Sequence, residues 1–177
     1  MNGDWKAGFE AQARFNETKN SQLYGILGGL TSRALHRDRG SWFGSLMGLL
    51  NHIIVTDLRW LDRFRPLSPD ADALCDGRLS TFPMEWKPLR EDFSRLREDR
   101  VLVDTLIREW FAHYPESGYT QTFSYVDSGG NRHSTTASRA FDFLFMHQNY
   151  HRGQISQILD DLGIPHSFAD NGDFLLG

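Results

Sequence analysis

The segment SRAFDFLFMHQNYHRGQISQILDDLG, Ser138–Gly163, constrains the fold more than any other stretch of this chain. Ala140, Leu144, His147, His151, Ile155, Ile158 and Leu162 follow one another at steps of three or four residues, so one helix carries them as a single stripe. Most of these positions are apolar, which turns the stripe toward a core. The two in the middle are histidines one turn apart. Imidazoles are costly to bury unless something takes up their lone pairs. A divalent metal does so, and neutral imidazole is its commonest protein ligand. The rest of the chain must then offer a third ligand on a facing element.

Three further helices are expected. Trp5 to Leu30 carries Phe9, Ala13, Asn16, Asn20, Leu23 and Leu27 on one stripe, with Gly28 and Gly29 weakening its end. The two asparagines either bond across a helix interface or face a polar cavity. After a short turn capped by Ser32 over Arg33–Arg37, Ser41 is placed to cap a helix from Trp42 to Phe64. Its first half is apolar on nearly every side, which makes it central, and His52 breaks that pattern. A helix beginning between Pro83 and Pro88 runs to about His113, with Leu89, Phe93, Leu96, Val103, Leu106, Ile107 and Trp110 facing in. Tyr119–Thr136 alternates around Asp127-Ser128-Gly129-Gly130 and reads as a β-hairpin. The resulting fold class is all-α: a four-helix up-down bundle, one domain over residues 1–177, with a small β-hairpin inserted before the last helix. The connection over 65–83 is longer than usual for a bundle.

Composition narrows the functional classes. A net charge of −4 argues against a nucleic-acid or anionic-membrane binder. Arginines cluster at Arg33, Arg37, Arg39 and at Arg95, Arg97, Arg100, with acidic residues interspersed, which reads as a solvated face. The single cysteine, Cys75, excludes an internal disulfide and a cysteine-rich zinc site and fits a reducing compartment. No apolar leader opens MNGDWKAGFEAQ, and no run is long enough to span a bilayer, so a cytoplasmic location is expected.

His52 lies near the middle of one core helix and His147 and His151 near the middle of another, which makes a three-histidine metal site geometrically reasonable. A carboxylate-bridged di-iron site is excluded, because no Glu-x-x-His motif occurs. His36, His113, His133 and His166 fall in turns, helix ends or the hairpin. The opposing reading is a structural bundle whose buried histidines hydrogen-bond to one another.

The string His147-Gln148-Asn149-Tyr150-His151-Arg152-Gly153-Gln154, with Leu50-Asn51-His52, Asp57 and Trp60-Leu61 upstream, resembles the DinB family. Arg14-Phe15-Asn16 with Asn20, and the Asp38-Arg39-Gly40-Ser41 turn, are similar to it too. The resemblance spans nearly the whole chain. It implies a four-helix bundle with one long crossover, a homodimer, and one divalent transition metal, nickel or zinc, on His52, His147 and His151. It also implies a thiol-dependent transferase, or a hydrolase, acting on small molecules in stress or detoxification, with a low-molecular-weight thiol as partner. The alternative is a non-catalytic metal- or ligand-binding stress protein. Phe143, Met146 and Tyr150 depart from relatives that carry polar residues in this region. Asp57 is a candidate to orient a ligand or pair with Arg152. Gly153 is expected to admit a neighbouring helix, with Gln154 bonding that backbone.

Overall fold

The computed structural model describes residues 4–68 and 89–175. Five helices lie among them, α1 (Trp5–Leu27), α2 (Ser32–His36), α3 (Leu46–Phe64), α4 (Phe93–His113) and α5 (Ala137–Asp161). An antiparallel hairpin, β1 (Thr122–Val126) with β2 (Arg132–Thr136), leads directly into α5. The four long helices close a ring of contacts: α1 packs on α4 and α5, and α3 packs on the same two. No helix among the described residues is long and apolar enough to cross a membrane.

The expected elements are present, with shifted ends. Asp4 caps α1 by accepting from the Ala7 amide, and Glu116 takes the next two free amides, those of Trp5 and Lys6. The α1 stripe from Phe9 to Leu27 is buried as expected, but the helix stops at Gly28, short of Leu30. Thr31, not Ser32, caps α2. The largest correction is in α3. Its cap is Ser45, whose hydroxyl accepts from the Gly48 amide at 3.1 Å, and not Ser41. Gly44 adopts φ +71°, a left-handed turn that stops any helix through 42–44 and leaves Trp42 94% exposed. Likewise α4 begins at Phe93 behind its cap Asp92, so Leu89 is buried from an irregular segment rather than from the helix. Most of the long connection expected over 65–83, and Cys75 within it, lies outside the described residues.

The core is aromatic at its hairpin end. Phe141 on α5 meets the rings of Phe9, Phe64, Phe111, Tyr114 and Tyr119 edge-on, at centroid distances of 4.9–5.8 Å. The histidine segment of α5 is thereby anchored one and a half turns upstream. At the start of α3, a Cβ added to Gly48 would collide with the Phe43 carbonyl oxygen. That oxygen belongs to the backbone and cannot swing away. Gly48→Ala is therefore expected to destabilise the fold by about 1–3 kcal/mol through overpacking, read as a lower midpoint in urea with an unchanged slope.

Candidate metal centre

His52 on α3 and His147 and His151 on α5 come together, as the spacing anticipated. Their ring nitrogens lie within 4.8 Å of one another. His147 Nε2 is 3.0 Å from His52 Nε2 and 3.0 Å from His151 Nε2. An imidazole nitrogen presents either one N–H or one lone pair in the ring plane. His147 Nε2 can therefore satisfy one of these two neighbours by hydrogen bonding, and not both. Mutual hydrogen bonding among the three histidines is an incomplete account of the cluster. A cation between them would take all three lone pairs. Nitrogens about 2.0–2.1 Å from a tetrahedral ion sit roughly 3.3–3.4 Å apart, near the 3.0 Å of the two pairs that His147 makes.

The protonation states suit that role. Burial and the neighbouring His151 hold His52 down at about 4, and burial with both neighbours holds His147 at about 3. Burial lowers His151 as well. All three rings are thus neutral near pH 7. His151 Nδ1 is 2.7 Å from Gln154 Oε1, an atom that only accepts, so the proton of His151 sits on Nδ1 and its Nε2 lone pair faces the cluster. Among the described residues Gln154 bonds His151 and Tyr150 rather than a neighbouring backbone, and none lies within 4 Å of a Cβ placed on Gly153 to mark a closely packed helix.

Packing orients the other rings. Phe43 stacks on His52 at 4.2 Å and meets His151 edge-on at 5.4 Å. Phe143 stacks on His147 at 5.8 Å. Beside His52, the Asn51 side chain donates to the Arg90 carbonyl at 2.9 Å and accepts from the Arg90 amide at 2.8 Å, pinning the returning chain to α3. Of these supports, Gln154 and Asn51 stand in the strings that carry the family resemblance, Gln154 one turn beyond His151, whereas the place of the Phe43 ring carried no sequence signal. Met146 and Tyr150 are exposed, and the Tyr150 ring meets His151 edge-on at 5.0 Å.

Asn16, Asn20 and Asp57 do not reach the histidines. They belong to a buried polar network on the adjoining face of α5. Arg100 grips Asp104 with two bonds, at 2.8 and 3.0 Å, and also pairs with Asp57. Asn20 donates to Asp104 and to Gln148, and Arg152 donates to Asn16 and Asn20. Asp57 thus pairs with Arg100 rather than Arg152, and Arg100 is 2% exposed rather than on a solvated face. Gln148 and Arg152 each follow a site histidine by one residue. The network fixes the rotation of α5 and so the direction of His147 and His151. The remaining histidines stay apart from the cluster: His113, His133 and His166 bond within their own segments, and His36 bonds the Ser32 and Glu91 carbonyls.

A family model described as the DinB family matches residues 6–175. The chain belongs to the DinB family. Protein DinB from Bacillus subtilis (strain 168) is 27% identical over 168 residues, covering 91% of this chain and 90% of that protein. The crystal structure of a DinB-like protein from Bacillus cereus ATCC 10987 aligns with a TM-score of 0.54 at 17% identity, over 84% of this chain and 88% of that one. At that identity the likeness concerns the fold. Family membership and three adjacent histidines together make a metal site possible in this DinB-family chain.

Proposed function

We propose that this chain is a single-domain DinB-type four-helix up-down bundle. In this reading it holds one divalent transition metal on Nε2 of His52, His147 and His151 and works as a metal-dependent enzyme. The observation that carries the proposal is the meeting of three neutral histidines whose ring nitrogens lie within 4.8 Å of one another. Three imidazoles leave at least one position open, the form of catalytic rather than closed structural sites. A divalent ion there supplies Lewis acidity that brings a thiol or water toward deprotonation near neutral pH.

The protein's own part is to keep the rings neutral and aimed. Burial supplies the first and Gln154, Phe43 and Phe143 the second. Thiol-dependent transfer to a small electrophile is the reaction class favoured by the family. A homodimer acting in stress response or detoxification in the cytoplasm completes the reading, with nickel or zinc as the ion. Zinc-loaded protein assayed with a low-molecular-weight thiol and electrophiles should show turnover that rises with metal content. Bound metal with no turnover across that panel would favour the second reading, a binder without catalysis.

The role of Gln154 gives a separate test. Gln154→Leu removes the acceptor for the His151 Nδ1 proton while leaving three imidazoles in place. Zinc affinity is expected to fall about 10–100-fold, measured by competition with a chromogenic chelator. An unchanged affinity would remove Gln154 from the site.

A further inference from the structure

A cavity of about 420 Å³ opens between α3, α5 and the hairpin, with His52 and His147 in its wall. That volume suits a small molecule. Its walls are flat and aromatic: Trp60 lies 5.1 Å from both Tyr125 and Phe143. Phe143, 45% exposed, is left open to the cavity side of α5.

Two cations line the same space. The Arg63 guanidinium lies 4.8 Å over Trp60 and 5.0 Å from the Tyr125 ring centre, and Arg139 projects from the first turn of α5. The ring faces hold Arg63 in place without a hydrogen bond to its N–H groups. Neither arginine has a hydrogen bond or ion pair among the described residues. The nearby carboxylates of Asp127 and Asp62 attract Arg63 through space but make their hydrogen bonds elsewhere. Asp127, also in the cavity wall, accepts from the Gly129 and Asn131 amides and from His133, each at 2.8 Å. Asp62 pairs with Arg65 at 2.9 Å. The cavity wall therefore carries two solvent-reaching guanidinium forks, on Arg63 and Arg139, that no described side chain pairs.

A guanidinium fork matches a planar carboxylate, and phosphate also, by two parallel bonds. The backbone favours the carboxylate. The first two amides of α5, Ala137 and Ser138, already donate to the Gln121 and Tyr119 carbonyls, so the helix end offers no ready phosphate cradle. We propose that this cavity takes a flat organic carboxylate, anchored on Arg63 and Arg139 between the aromatic walls, with its reacting end beside His52 and His147. This rests on the three-histidine reading above and names its substrate class.

Calorimetric titration of the full chain with trans-cinnamate, its neutral amide and phenyl phosphate tests it. Cinnamate should bind at least about tenfold more tightly than the amide, as a charge-assisted pair requires. It should also exceed phenyl phosphate. Arg63→Gln and Arg139→Gln should each weaken cinnamate severalfold, and the double variant should lose the preference for acid over amide. Because both side chains reach solvent, melting curves should stay near wild type. The preference should survive in His151→Ala, whose side chain does not line the cavity, which separates the arginines from a metal as the anchor. Equal affinity for acid and amide, tighter phenyl phosphate, or a preference kept by the double arginine variant but lost in His151→Ala would overturn the assignment. A wild-type chain that binds no metal yet keeps the preference would defeat the metal reading and leave the carboxylate site standing.

Discussion

His151→Ala should reduce zinc or nickel binding from about one ion per chain to a level indistinguishable from background, while the chain remains folded. Losing one of three imidazoles leaves two ligands, below the three protein ligands usual for open sites. The same truncation removes a ring 4% exposed, which leaves a partly collapsible space against Phe43 and costs stability of roughly 1–3 kcal/mol. Titration with metal, alongside a thermal melt of the metal-free variant, separates the two effects. Retained stoichiometric binding in His151→Ala would mean that the ion sits elsewhere.

Arg100→Leu is expected to be the most destabilising single change described here. The side chain is 2% exposed and stands between two buried carboxylates, Asp57 and Asp104. Burial opposes its charge, but Asp104 and Asp57 outweigh that and hold the guanidinium firmly protonated. Removing it leaves both carboxylates uncompensated, a situation that costs about 3–5 kcal/mol, or roughly 6–20 °C in Tm for a chain of this size. The pH dependence has a definite sign. Burial already raises both carboxyls, Asp57 to about 7 and Asp104 in the same direction, with Arg100 opposing. Without Arg100 they rise further, so the folded variant binds protons that the unfolded chain has released. Its deficit relative to the wild type should stay level up to about 7, where Asp57 is protonated in both folded forms, and grow above it, where the wild type has released the proton and the variant still holds it, so it is smaller at pH 5 than at pH 8. Urea midpoints across that range are the readout, and a deficit independent of pH would contradict this account of the network.

The residues that announced the site did so through periodicity. His147 and His151 interrupt an apolar stripe, and His52 interrupts a helix apolar on nearly all sides; both patterns survive in the buried faces of α5 and α3. Arg100 was read as surface because Glu98 and Asp99 stand beside it, although it and Asp104 stand in step with the buried Leu96, Val103 and Ile107. Which serine caps α3 was not legible, because Ser41 and Ser45 both precede apolar runs, and the decision rests on the backbone conformation of Gly44. Phe43 could not be foreseen as a wall of the site for the same reason: outside a helix its ring is free to lie over His52. The open flank of Gly153 and the pairing of Asp57 depend on which helices neighbour one another, which spacing within one helix does not encode. Arg63 and Arg139 meet in one cavity only once the hairpin folds over α3 and α5.

The central claim is that His52, His147 and His151 hold one metal ion together. Elemental analysis of the purified chain, combined with a crystal structure at the absorption edge of the ion found, addresses it directly. The account predicts about one divalent transition metal per chain and a single anomalous peak among the three Nε2 atoms, about 2.0–2.1 Å from each. Metal-free protein that stays so after incubation with zinc and nickel, or a peak away from these three nitrogens, would contradict it.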